Sequence, residues 1–157
     1  MASFDTGWTY TTAMYLNVPH NIRVTGTATR TSDTNVYVSG TFYLSRAGSS
    51  YNYDYCKARL SNTSSWVQVK GYTTSAYSEV SASFAYNMTV GASDTSIKIQ
   101  GIFAFFGSSG SSQVGNEART TESYPSLETA PSGLTVSNVV RGVDSFTATV
   151  SISRWGN

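Results

Sequence analysis

Residues 79–106 contain two long runs in which apolar and polar residues alternate, and no other stretch limits the fold as strongly. In the first run Val80, Ala82, Phe84, Tyr86, Met88 and Val90 take every second position, with Ser81, Ser83, Ala85, Asn87 and Thr89 between them. A sustained period of two puts one face on a core and the other in water, as in an antiparallel strand. After the link Gly91-Ala92-Ser93-Asp94, the second run begins the same way at Ile97, Ile99, Gly101, Phe103 and Phe105. It then turns apolar on its other face as well, at Ile102, Ala104 and Phe106. A strand with two apolar faces is covered twice. Ile102, Ala104 and Phe106 are therefore expected to pack against a second element or another subunit.

The rest of the chain continues in strands. Residues 8–16 read as a first strand, with Trp8, Tyr10, Thr12, Met14 and Leu16 on one face. It stops at Asn17-Val18-Pro19-His20, because proline cannot donate to a central ladder. Ile22 and Val24 open a second strand that runs Thr-rich to Arg30, and Val36, Val38, Gly40, Phe42 and Leu44 form the inward face of a third. Residues 53–60 give a fourth, with Tyr53, Tyr55, Lys57 and Arg59 opposite Cys56, Ala58 and Leu60, and residues 66–70 a short fifth. Gly107-Ser108-Ser109-Gly110-Ser111-Ser112 has the composition of a flexible loop, and the polar stretch to Ser123 reads as its continuation. Residues 124–133 contain two prolines and read as a linker. Residues 134–139 and 146–152 then form two more strands about Arg141-Gly142-Val143-Asp144. No stretch shows helical periodicity. The expected fold is all-β: an antiparallel β-sandwich of seven or eight strands over residues 1–123, the linker, and a short C-terminal β-hairpin arm over 134–157.

A chain of 157 residues suffices for one core with a small appendage. Charged residues make up 12%, about half the usual share, and Ser, Thr, Gly and 11 Tyr fill their place. A net charge of +1 without a Lys/Arg run argues against nucleic acid as a partner. It also leaves little repulsion between copies, which permits a homo-oligomer. No apolar run approaches a membrane span. The opening Met1-Ala2-Ser3-Phe4-Asp5 has neither the basic nor the apolar region of a secretory signal, so synthesis and folding in a cytoplasm are expected.

Residues able to carry chemistry are sparse. His20 is the only histidine and stands beside Pro19, where a turn residue is a simpler reading than a catalytic one. Cys56 is the only cysteine; it excludes an internal disulfide and reads as a buried, inert thiol. The nine carboxylates include no pair spaced along one strand face, and no phosphate-binding loop, nucleophile elbow or calcium loop is present. No catalytic residue, metal ligand or cofactor is expected. Tyr51, Tyr53 and Tyr55 recur at period two and, with Trp66, make a candidate aromatic platform for a sugar. Cross-strand aromatic pairing on a half-buried sheet accounts for the same pattern.

Two parts of the chain carry a likeness. Thr31-Ser32-Asp33-Thr34-Asn35 followed by Val36-Tyr37-Val38-Ser39-Gly40, with Asp94-Thr95-Ser96-Ile97-Lys98-Ile99 running into Phe103-Ala104-Phe105, resembles the N-terminal β-sandwich of structural proteins of long-tailed bacteriophages. Ala130-Pro131-Ser132-Gly133-Leu134-Thr135-Val136 with Phe146-Thr147-Ala148-Thr149-Val150 resembles the first two strands of a fibronectin type III or immunoglobulin-like module. The resemblance implies a non-enzymatic virion subunit, made in the host cytoplasm and placed in the tail tube, tail tip or adhesion device. Its partners would be further copies and other virion proteins. A capsid decoration protein is one alternative; a carbohydrate-binding or adhesin module, meeting a host-surface glycan through Tyr51, Tyr53, Tyr55 and Trp66, is another. The expected interface residues are Ile102, Ala104 and Phe106, with Leu134, Val136, Phe146, Val150 and Ile152 of the arm.

Overall fold

The computed structural model describes residues 1–14, 17–46, 55–71, 79–128, 134–141 and 146–152. In chain order the strands are β1 (Ala2–Asp5), β2 (Thr9–Thr11), β3 (His20–Arg30), β4 (Asn35–Arg46), β5 (Tyr55–Leu60), β6 (Val67–Lys70), β7 (Glu79–Thr89), β8 (Gly101–Phe106), β9 (Gln113–Arg119), β10 (Leu134–Arg141) and β11 (Phe146–Ile152). Among the described residues there is no helix. The first sheet runs β1-β3-β4-β7, with β2 beside β1 on the same edge of β3; the second runs β6-β5-β8-β9. Every pairing is antiparallel. The fold is an antiparallel β-sandwich, with nine strands in its two sheets among the described residues.

The alternation that defines β3, β4 and β7 is the reason for the sandwich. Ile22, Val24, Val36, Val38, Phe42 and Leu44 all point inward and are fully buried. Cys56, Ala58, Leu60, Phe103 and Phe105 meet them from the second sheet. The Phe42 and Phe103 rings cross the gap edge to face, with centroids 5.7 Å apart, a geometry aromatic quadrupoles favour. Gly26 and Gly40 face each other in the β3–β4 register. A Cβ on Gly26 would stand 2.7 Å from the Phe4 ring, and one on Gly40 would stand 3.0 Å from the Phe84 ring. These two glycines make room for a phenylalanine from each flanking strand.

The two alternating runs do not pair with each other. β7 pairs with β4 in the first sheet and β8 with β5 and β9 in the second, so the chain between them crosses the sandwich. Buried Arg30 fastens that crossing. Its guanidinium donates to the carbonyls of Asp33 (2.7 Å), Asp94 (2.6 Å) and Gly91 (3.3 Å), joining the β3–β4 turn to the start of the crossing.

Four elements differ from the sequence-based expectation. β1 was not expected; it delivers Phe4 to the core. Of the expected first strand over 8–16, the described residues to Met14 form only β2, and the single face divides: Trp8 and Tyr10 are exposed while Met14 is fully buried, and Leu16 lies outside the described residues. The second alternating run becomes a strand only at Gly101. Before it, Ile97 and Ile99 bond to the Pro125 and Ser123 carbonyls. Those bonds, with buried Leu127, stitch residues 123–127 to the sandwich. The expected loop continuation over 113–123 is instead largely β9, paired with β8. The Gly/Ser stretch is the turn between them, closed by Gly107 N–H to Ser112 C=O at 2.9 Å.

The C-terminal strands form the expected hairpin. Leu134 stands opposite Ile152 and Val136 opposite Val150, with a register shift between Ser137 and Val140.

Candidate functional site

On the outer face of the second sheet β8 presents Ile102, Ala104 and Phe106, all buried within the chain at 1%, 0% and 7% exposure. Long side chains from neighbouring elements lie over this face. Lys57 Nζ lies 4.6 Å from the Phe106 ring centroid and donates to the Gly110 carbonyl at 2.5 Å. Arg59 lies 5.0 Å over the Trp66 ring, donates to the Thr63 carbonyl at 2.7 Å and bonds Glu117 at 3.3 Å. Glu117 also holds Arg119 at 3.2 Å. Trp66 meets Phe106 edge to face at 5.4 Å. Aliphatic stems of Lys and Arg shield apolar surface while their charged heads stay solvated or paired.

This arrangement bears on the aromatic platform. Trp66 is half-buried, with one ring face under the Arg59 guanidinium and an edge against Phe106. Tyr55 is half-buried on β5. Tyr51 and Tyr53 lie outside the described residues. Of the arm residues, Leu134, Val136, Phe146 and Ile152 are placed by backbone register, and Val150 is 58% exposed.

The buried polar groups are structural in character. Cys56 is fully buried as expected, and burial pushes its thiol far up, so the reactive thiolate is suppressed. His20 is not a turn residue; it opens β3 and is buried. Its Nδ1–H donates to the Val18 carbonyl at 2.9 Å and its ring leans on Phe105 at 5.2 Å. Among the described residues no group of three His, Cys, Asp or Glu side chains is placed to hold a metal ion.

The sequence reading missed a second aromatic surface, on the outer face of the first sheet. Trp8 is 44% exposed, with the half-buried Tyr43 ring 6.3 Å from its own at 65°, and Tyr10, 64% exposed, stands two residues further on, in β2. Arg23 lies 5.7 Å over the Trp8 ring and forms a two-pronged ion pair with Asp5, its Nε–H to Oδ1 at 2.9 Å. The Arg23 hydrogen bond is the main cause holding the Asp5 carboxyl below its ordinary value, and Asp5 in turn raises Arg23.

The segment carrying Trp8 is tied down along its length. Asp5 Oδ1 accepts the Gly7 N–H at 2.8 Å, and Gly7 adopts a left-handed φ of +67° that turns the chain out of β1. Buried Thr6 exchanges bonds with the Val24 backbone. Thr121 bonds both the Thr6 carbonyl and the Thr9 hydroxyl. The signal in the sequence was Asp5-Thr6-Gly7-Trp8, a turn composition ahead of an aromatic. The longer alternation after it suggested a buried face instead.

Compared with known protein families, with curated proteins and with solved structures, the chain matches none.

Proposed function

We propose that the chain is a non-enzymatic structural subunit of a bacteriophage virion, seated in the tail and working through contacts with further copies and other virion proteins. Its support is the likeness carried by residues 31–40 and 94–105, together with that of the 130–150 segment to the opening of a fibronectin or immunoglobulin-like module.

The observation that carries the reading is the C-terminal hairpin. Its register sets apolar residues opposite each other, Leu134 with Ile152 and Val136 with Val150, while Val150 is 58% exposed. A two-stranded hairpin alone is marginally stable in water. Addition to the open edge or face of a neighbouring copy supplies both the backbone partners and the apolar cover it needs. Electron microscopy of the purified protein tests the proposal: rings, tubes or ordered arrays are expected. Dispersed single particles at every concentration would sink it.

A further inference from the structure

We infer that Trp8, Tyr10 and Tyr43, with the Arg23–Asp5 pair, form a binding site for a neutral saccharide on the outer face of the first sheet. The register assembles it. Tyr10 stands opposite Asn21 across β2–β3, and Arg23 opposite Tyr43 across β3–β4, so the aromatic and polar groups alternate over two adjacent rows. A pyranose ring offers an apolar C–H face and a rim of hydroxyls. The exposed aromatics match the first and the ion pair the second. Arg23 spends its Nε–H and an Nη2–H on Asp5, which leaves further N–H donors for hydroxyl oxygens. The pair is open to solvent, with side-chain exposures of 32% for Arg23 and 47% for Asp5.

Charge and preorganisation narrow the occupant. Asp5 and Arg23 cancel, so an ionic ligand gains nothing over a neutral one. Trp8 is an exposed aromatic grouped with Tyr43 and Arg23 rather than standing alone. Here it is fixed in place by the Asp5–Gly7, Thr6–Val24 and Thr121–Thr9 bonds rather than left free. Groups held in position before binding lose little entropy when a ligand arrives. A second copy of the chain is a poorer occupant. Burying this ion pair under protein would strip its water. A saccharide replaces that water with hydroxyls. The site is separate from the hairpin and does not rest on the assembly reading.

The test titrates the full chain with neutral oligosaccharides (cello-, malto-, galacto- and chito-oligosaccharides), following tryptophan fluorescence and, in parallel, mass by light scattering. At least one probe should bind saturably. Binding should weaken at least about tenfold, roughly 1.4 kcal/mol, in Trp8→Ala and also in Tyr10→Ala, whose side chain is too exposed to be needed for folding. Tyr37→Ala should bind as the parent does. It alters an exposed aromatic on the same sheet, six residues along β4 from Tyr43, or roughly 20 Å. The inference is overturned if no probe binds, or if binding survives both substitutions. It is equally overturned if Trp8→Ala changes only the assembled mass, which would make the patch a protein interface.

Discussion

The fold opposes the charged state of His20. Burial holds the imidazole neutral and outweighs the Val18 hydrogen bond, with the Arg46 cation adding to the effect, so its folded pKa lies below the ordinary value of 6.5. As pH falls through about 6.5, the unfolded chain takes up a proton that the folded ring resists. Stability is therefore lost from that point downward, by at most about 1.4 kcal/mol per pH unit, until the folded ring also protonates. Asp5 belongs to a separate window. Its depressed pKa adds stability above about pH 4 that disappears only in stronger acid. Since His20 is the only histidine, attribution is clean. The urea midpoint should drop between pH 7 and pH 5 in the parent and stay nearly level in His20→Leu. A drop of equal size in the variant would assign the acid sensitivity elsewhere.

At the scale of elements, β8 is the strand most constrained by its neighbours. Phe103 and Phe105 fill the space between the sheets, and Phe106 lies under Lys57 and against Trp66 on the other side. Phe106→Ser should cost about 3 kcal/mol in a denaturant titration, the range for removing a buried phenylalanine ring. An unchanged midpoint would mean the outer face contributes nothing. β3, β4, β5 and β7 were legible because each alternates over enough residues for the buried face to be read directly. β1 was not, since four residues with Ser3 and Asp5 between the apolar positions carry too short a pattern. β9 was hidden by Gly115 at φ +75° and by a register shift that breaks its alternation. Periodicity also cannot say which sheet a strand joins. The assignment of β7 and β8 to opposite sheets depends on pairing partners distant in sequence. The Trp8 surface was misread for a related reason. Its alternation matches a buried strand, but only three residues find a partner on β3.

The whole molecule joins a sandwich with its own core to a two-stranded hairpin, which on the proposed reading is covered by a neighbouring copy. The sandwich closes on itself through Arg30 at the crossing and through the residue 95–99 and 123–127 bridges. It should fold without the arm, while assembly should depend on the arm. Deleting residues 131–157 and measuring mass by light scattering, with the melting temperature recorded on the same samples, separates the two roles. The full chain should be oligomeric and the shortened chain monomeric, with little change in melting temperature. A shortened chain of unchanged oligomeric state and lowered melting temperature would mean that the hairpin packs on its own sandwich and does not tie copies together.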